Sequence, residues 1–166
     1  FNETFESAHK KDYKNLETSG WYSEDYHIFQ STKEEELIRA IRNGMDAAGI
    51  EIEFSKGEWS PGQEEINLRY TDALAMADRH TIYKNGAKEI AYQQGKALTF
   101  MAKWRDDMAG NSCHVHTSLW NDADNSPAFV DATHPDGTSE LFRHFLAGQL
   151  SCAREMTYFL APYINS

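Results

Sequence analysis

The sequence predicts an α+β or mixed α/β sheet domain, on three observations. Two short segments alternate apolar and polar residues, Ile50 to Phe54 (IEIEF) and Gln63 to Tyr70 (QEEINLRY). Side chains alternate between the two faces of a strand, so each segment reads as a strand with one apolar face. Three longer stretches, after Ser31, Thr71 and Thr138, carry helix start signals. Finally, strands come in runs separated by these long helices, which suits a layered sheet domain better than a helical bundle.

The elements follow in order. Phe1 to Gln30 is polar and aromatic without a sustained period, and reads as loop with room for one short strand. Ser31 or Thr32 predicts a helix start, since Glu34 or Glu35 stands three residues on, as a capping box requires. Leu37, Ile38, Ile41, Met45 and Ala48 then share one helical face, and Gly49 supplies the stop. The two alternating strands come next, joined through Ser60-Pro61-Gly62. Thr71 or Asp72 caps a helix reaching about Gln94 and ended by Gly95, with Gly86 as a weak point inside it. ALTFMAK (97–103) and SCHVHTSL (112–119) read as two more strands. The Asp-, Asn-, Pro- and Gly-rich segment after them is a surface excursion. Thr138 or Ser139 caps a last helix to about Leu160, and Pro162 stops it.

A chain of 166 residues with 40% hydrophobic content builds one core of ordinary size, so one compact unit is expected. The net charge of -10 argues against nucleic acid, which demands a basic face. Cys113 and Cys152 lie in apolar-patterned segments without a CxxC spacing, and read as reduced core thiols. No apolar run nears the ~18 residues of a membrane span, and the N-terminus lacks a signal-type pattern. The expectation is a soluble, cytoplasmic protein with no membrane partner.

Two polar strand faces carry the chemistry. In SCHVHTSL, His114, His116 and Ser118 share a face opposite Cys113, Val115, Thr117 and Leu119. Successive imidazoles on a strand stand ~7 Å apart, too far for easy chelation of one ion but suited to two adjacent tasks. An HxH pair alone is a weak signal, and more often belongs to the solvent-facing side of a strand. In QEEINLRY, Gln63, Glu65, Asn67 and Arg69 share a face, and Glu58 precedes Glu65 by seven residues across the turn. Two carboxylates brought together there suit a hard cation such as Mg²⁺ or Mn²⁺, which bridges protein and phosphate oxygens. As separate residues both are ordinary surface acids, and only Lys56 stands near to compensate them. Glu51 and Glu53 extend the acidic surface along IEIEF. No GxSxG, P-loop or GxGxxG occurs.

Three segments in this order resemble the glutamine synthetase family: GEWSPGQEEI (57–66), YKNGAKEIAYQQGKALTFMAK (83–103) and AGNSCHVHTSLW (109–120). The resemblance covers most of the chain. It implies an α+β fold with an antiparallel sheet and helices packed on one side, like that family's catalytic domain. It implies that Glu58 and Glu65 bind one divalent cation and His114 a second. His116 and Ser118 take the places of contacts to ATP phosphate and nucleotide, Glu53 and Tyr70 those of further nucleotide-side residues. Gly110 stands at the loop glycine that helps hold glutamate. The implied reaction uses ATP and Mg²⁺ or Mn²⁺ to phosphorylate the γ-carboxylate of glutamate, after which an amine displaces phosphate to form an amide.

The sequence departs from the ammonia-using pattern at Ala109, where an asparagine is usual, and at Lys56-Gly57, where consecutive histidines are common. These departures point to the branch that joins glutamate to larger amines, such as polyamines or ethanolamine. The resemblance also implies that the chain is the central part of the catalytic domain. On that reading the N-terminal β-grasp domain and the C-terminal ligands lie outside it, and it is inactive alone. The full-length protein is expected to be a homo-oligomer, a dodecamer of two stacked rings. A non-catalytic structural or regulatory relative is the alternative, but it has no need of Glu58, Glu65, His114, His116 and Ser118.

Overall fold

A computed structural model describes residues 1–23 and 25–163. The element order is α1 (Phe5–Lys10), α2 (Ile28–Ala47), β1 (Ile52–Gly57), β2 (Glu64–Leu68), α3 (Ala73–Gln93) and α4 (Glu140–Leu160). The chain divides into two compact units, Phe1–Phe100 with Trp104–Ala109, and Met101–Lys103 with the chain from Gly110 onward.

The first unit holds the apolar core. Leu37, Ile41 and Met45 of α2 meet Ile50 and, on α3, Ala87 and Ala91, and Ile52, Ile66 and Leu68 pack against them from the strands. The face predicted for α2 is therefore the buried one, except that Ala48 is exposed beyond the helix end. Small residues let the two helices approach: a Cβ on Gly44 would lie 2.9 Å from Ile90 Cδ1.

Strands β1 and β2 pair antiparallel as a two-stranded sheet. Ile52 pairs with Leu68, but the register slips at Glu53, so that Phe54 pairs with Asn67, Ser55 with Ile66 and Lys56 with Glu65. This bulge breaks the simple alternation expected of IEIEF: Ile50 and Ile52 face the core, whereas Phe54 is exposed.

Other boundaries also differ from expectation. Helix α2 begins at Ile28, one turn before the predicted cap, and Ser31 and Thr32 donate their hydroxyls to the carbonyls of His27 and Ile28. Back-bonding of this kind is open to either hydroxyl inside a helix, so a capping-box pattern does not by itself fix the first residue. The N-terminal segment forms the short helix α1, capped by Thr4 through the Ser7 amide, and no strand among its described residues. Its buried Glu3 receives hydrogen bonds from Lys11 Nζ (2.5 Å), Ser7 Oγ (2.6 Å) and the Glu17 amide (3.0 Å).

Helix α3 starts as predicted, with Asp72 accepting from the Ala75 amide, and ends before Gly95, whose φ is +67°. In the second unit α4 is capped by Ser139, which accepts from the Phe142 amide. Phe129 packs against Phe142 and Phe145, at ring separations of 5.3 and 5.2 Å. No described residue of α4 is buried.

Residues 97–103 and 112–119 are not strands. Alternation makes a strand only where a neighbouring backbone supplies ladder partners. Among the described residues, the second segment reaches its first bridge only at Trp120, opposite Pro127. Its supposed apolar face is correspondingly open, with Val115 exposed, and both cysteines are exposed rather than in a core. No helix among the described residues is long and apolar enough to cross a membrane.

Candidate functional site

The loop between β1 and β2 is built to bring two carboxylates together. Glu58 N–H donates to the Gln63 carbonyl at 2.8 Å, and Gln63 N–H to the Ser60 carbonyl at 2.9 Å, which closes a tight turn. Gly62 turns the chain at φ +70°, and a Cβ there would meet Ser19 Oγ at 2.6 Å and the Ser19 backbone nitrogen at 3.0 Å. Both the left-handed backbone and the close approach demand glycine. The loop is tied down from outside as well. Asp25 N–H donates to the Glu58 carbonyl, Gly57 N–H to Ser31 Oγ, and Ala109 N–H to the buried Ser60 hydroxyl.

On this frame Glu58 and Glu65 converge, and Lys56 stands between them. Its Nζ lies 2.7 Å from Glu65 Oε2 and 3.3 Å from Glu58 Oε2. Asn67 donates to the other Glu65 oxygen at 2.8 Å, and the Trp59 amide donates to Glu58 Oε1 at 3.0 Å. The Tyr26 ring covers the Lys56 ammonium, 4.3 Å from its centroid.

The electrostatics follow from these contacts. A side-chain hydrogen bond shared with Glu58 lowers the Glu65 carboxyl most; burial opposes this, and Lys56 and Asn67 add to it, leaving a pKa of about 2. Burial disfavours the Lys56 ammonium, but hydrogen bonds to Glu65 and Glu58 outweigh it and raise its pKa. Both acids stand out in the sequence, where Lys56 reads only as weak compensation. The signal available was its spacing, two residues before Glu58 and, given the strand pairing, directly opposite Glu65. Tyr26 carried no signal.

The remaining predicted residues are placed as follows. Glu53 is the exposed residue of the bulge in β1. Tyr70, just past β2, is exposed, with the Arg69 guanidinium 5.2 Å from its ring centroid. In the second unit His114 and His116 are exposed on the extended segment, and Ser118 Oγ accepts from Trp120 Nε1 at 3.0 Å. Gly110 approaches the Ala102 carbonyl so closely that a Cβ would lie 2.9 Å from its oxygen. The first unit thus gathers two of the three proposed metal ligands, Glu58 and Glu65, and the second unit carries His114. Among the described residues no three of His, Cys, Asp or Glu form a metal-binding group.

The family model for the glutamine synthetase catalytic domain matches residues 2–166. The chain belongs to this family. It is 47% identical to a gamma-glutamylethanolamide synthetase, GlnA4, of Streptomyces coelicolor over all of its length and 35% of the relative's. It is 41% identical to a glutamate–isopropylamine ligase of a Pseudomonas species, over 85% of this chain and 30% of the relative. Among solved structures it resembles GmaS without ligand, with a TM-score of 0.80 and 30% identity, covering 89% of this chain and 34% of that one. A GmaS/ADP complex matches with a TM-score of 0.81 and 29% identity over 91% of this chain and 35% of that one. The α+β fold with its antiparallel strand pair is therefore that of a glutamine synthetase catalytic domain. The chain spans roughly a third of the length of these family members.

Proposed function

We propose that the intact protein is an ATP-dependent ligase joining the γ-carboxylate of glutamate to an amine larger than ammonia, with this chain as the central part of its catalytic domain. The observation that carries the reading is the convergence of Glu58 and Glu65 on one cation position, in a family member whose relatives include an ethanolamide synthetase and an isopropylamine ligase.

The donor set fits a hard divalent cation. Two half-buried carboxylates, fixed by a strand and a pinned turn, offer oxygen ligands of the type Mg²⁺ and Mn²⁺ prefer. Glu58 and Glu65 would hold the cation with His114 serving a second one, and bound metal would supply charge neutralisation where two anions, ATP and glutamate, must meet. His116 and Ser118 are assigned to the phosphates and nucleotide, Glu53 and the exposed Tyr70 ring to the nucleotide side. Gly110 is assigned to glutamate, through its backbone. The γ-carboxylate takes a phosphoryl group from ATP, and the amine nitrogen then forms the amide bond as phosphate leaves.

Preference for a larger amine is supported by Lys56-Gly57 and Ala109, which replace the imidazoles and the asparagine amide expected of ammonia-using members. Assembly as a dodecamer belongs to the same proposal. The test is phosphate release from ATP by the intact protein with glutamate, Mg²⁺ or Mn²⁺, and a panel of ammonia, ethanolamine, isopropylamine and putrescine. Stimulation by at least one larger amine well above ammonia is expected. Release that no amine stimulates would sink the ligase reading, and a preference for ammonia would sink the larger-amine assignment alone.

A further inference from the structure

We infer that Lys56 is a built-in counter-cation for the Glu58 and Glu65 pair, so that a divalent metal enters by exchange with its ammonium rather than by filling an open site. The inference rests on the reading of these two glutamates as metal ligands.

Its position is set by the fold. Lys56 is the residue paired directly with Glu65 across β1 and β2, and such partners have Cβ atoms ~5 Å apart. Glu58 lies two residues further along the same strand direction, at the start of the pinned turn. The ammonium thus reaches both carboxylates, at 2.7 and 3.3 Å, without any displacement of the sheet. A divalent cation bound to the same oxygens would sit ~2.1 Å from them, too close to an ammonium of like charge for both to remain.

The side chain also has somewhere to go. The Tyr26 ring already faces the ammonium at 4.3 Å, and aromatic faces attract cations. Tyr26 and Lys56 both line a cleft of about 400 Å³ between the start of α2 and β1, together with Ser31 and Glu35 among others. Glu35 on its wall accepts hydrogen bonds from Arg42, so the cleft holds a local balance of charge. An outward swing over Tyr26 would leave the two carboxylates in place for the metal.

Exchange predicts that neutralising Lys56 strengthens metal binding while weakening the metal-free fold. If the ammonium occupies the pair about 90% of the time, its removal tightens apparent affinity ~10-fold. Mn²⁺ binding to the intact protein is measured by electron paramagnetic resonance of free Mn²⁺, with thermal unfolding in EDTA and in Mn²⁺. The variants are Lys56→Met, Lys56→Gln, Lys56→Arg and Glu65→Gln. The neutral variants should bind Mn²⁺ about tenfold more tightly, unfold at lower temperature in EDTA and gain more from Mn²⁺ than the parent, while Lys56→Arg tracks the parent. If the neutral variants bind no more tightly although Glu65→Gln weakens binding, Lys56 does not compete and the inference is overturned. If Glu65→Gln leaves binding unchanged, the metal-site reading itself is wrong. Should the neutral variants unfold in EDTA, refolding by Mn²⁺ supports exchange and failure to refold counts against it.

Discussion

Gly86 of α3 faces Met45 of α2 so closely that a Cβ at position 86 would lie 2.7 Å from the Met45 terminal carbon. The contact sets the spacing between the two helices that carry the core. Gly86→Ala should stay within ~0.5 kcal/mol of the parent, because the gain in helix propensity offsets a shift of the flexible methionine end. Gly86→Val should cost ~1–3 kcal/mol through overpacking. Urea unfolding of both variants checks this, and a neutral valine would mean the helices part more easily than the packing indicates.

Gly62→Ala should destabilise the protein by about 2 kcal/mol or more. Its φ of +70° costs an L-residue ~1–2 kcal/mol, and the added methyl presses on the Ser19 backbone as well as its hydroxyl. The same change should loosen Glu58, so a drop in Mn²⁺ affinity is expected beside the drop in stability. Unchanged unfolding would show that the turn can relax around a side chain.

Glu65 gives a pH signature. Its folded pKa of about 2 lies below the ordinary 4.5, so its ionised form stabilises the fold above pH ~4.5 and that contribution disappears as pH falls through about 2. Glu65→Gln should cost on the order of 1 kcal/mol at neutral pH, given the partial exposure of the pair, and progressively less toward pH 2. Parallel stability curves for the two proteins across that window would refute the assignment.

Ser139 does two jobs in the second unit, accepting from the Phe142 amide at 3.1 Å and donating to the Ala128 carbonyl at 2.7 Å. Ser139→Ala should lose ~1–2 kcal/mol of local stability, while Ser139→Asp keeps the cap and loses only the donor. Amide hydrogen exchange along the first turn of α4 separates the two, with faster exchange expected for alanine.

Much of the fold was legible because it depends on local signals. Asp72 and Ser139 cap where they stand, Gly49 and Gly95 take positive φ, and Leu37, Ile41 and Met45 repeat at helical spacing into the core. What was not legible depends on partners. The segments 97–103 and 112–119 alternate convincingly, yet alternation records only which way side chains point and says nothing of a neighbouring backbone. Glu58 and Glu65 stand out by chain spacing and resemblance, but the weight of Lys56 emerges only from the register that sets it opposite Glu65.

That register has its own arithmetic. In an unbroken strand Ile52 and Lys56, four residues apart, would point the same way. The extra residue at Glu53 changes the parity, sending Ile52 to the helices and Lys56 to the acids. Deleting it would force a choice between an ammonium in the apolar layer and an isoleucine in solvent, so a single unpaired glutamate keeps core and chemistry in phase.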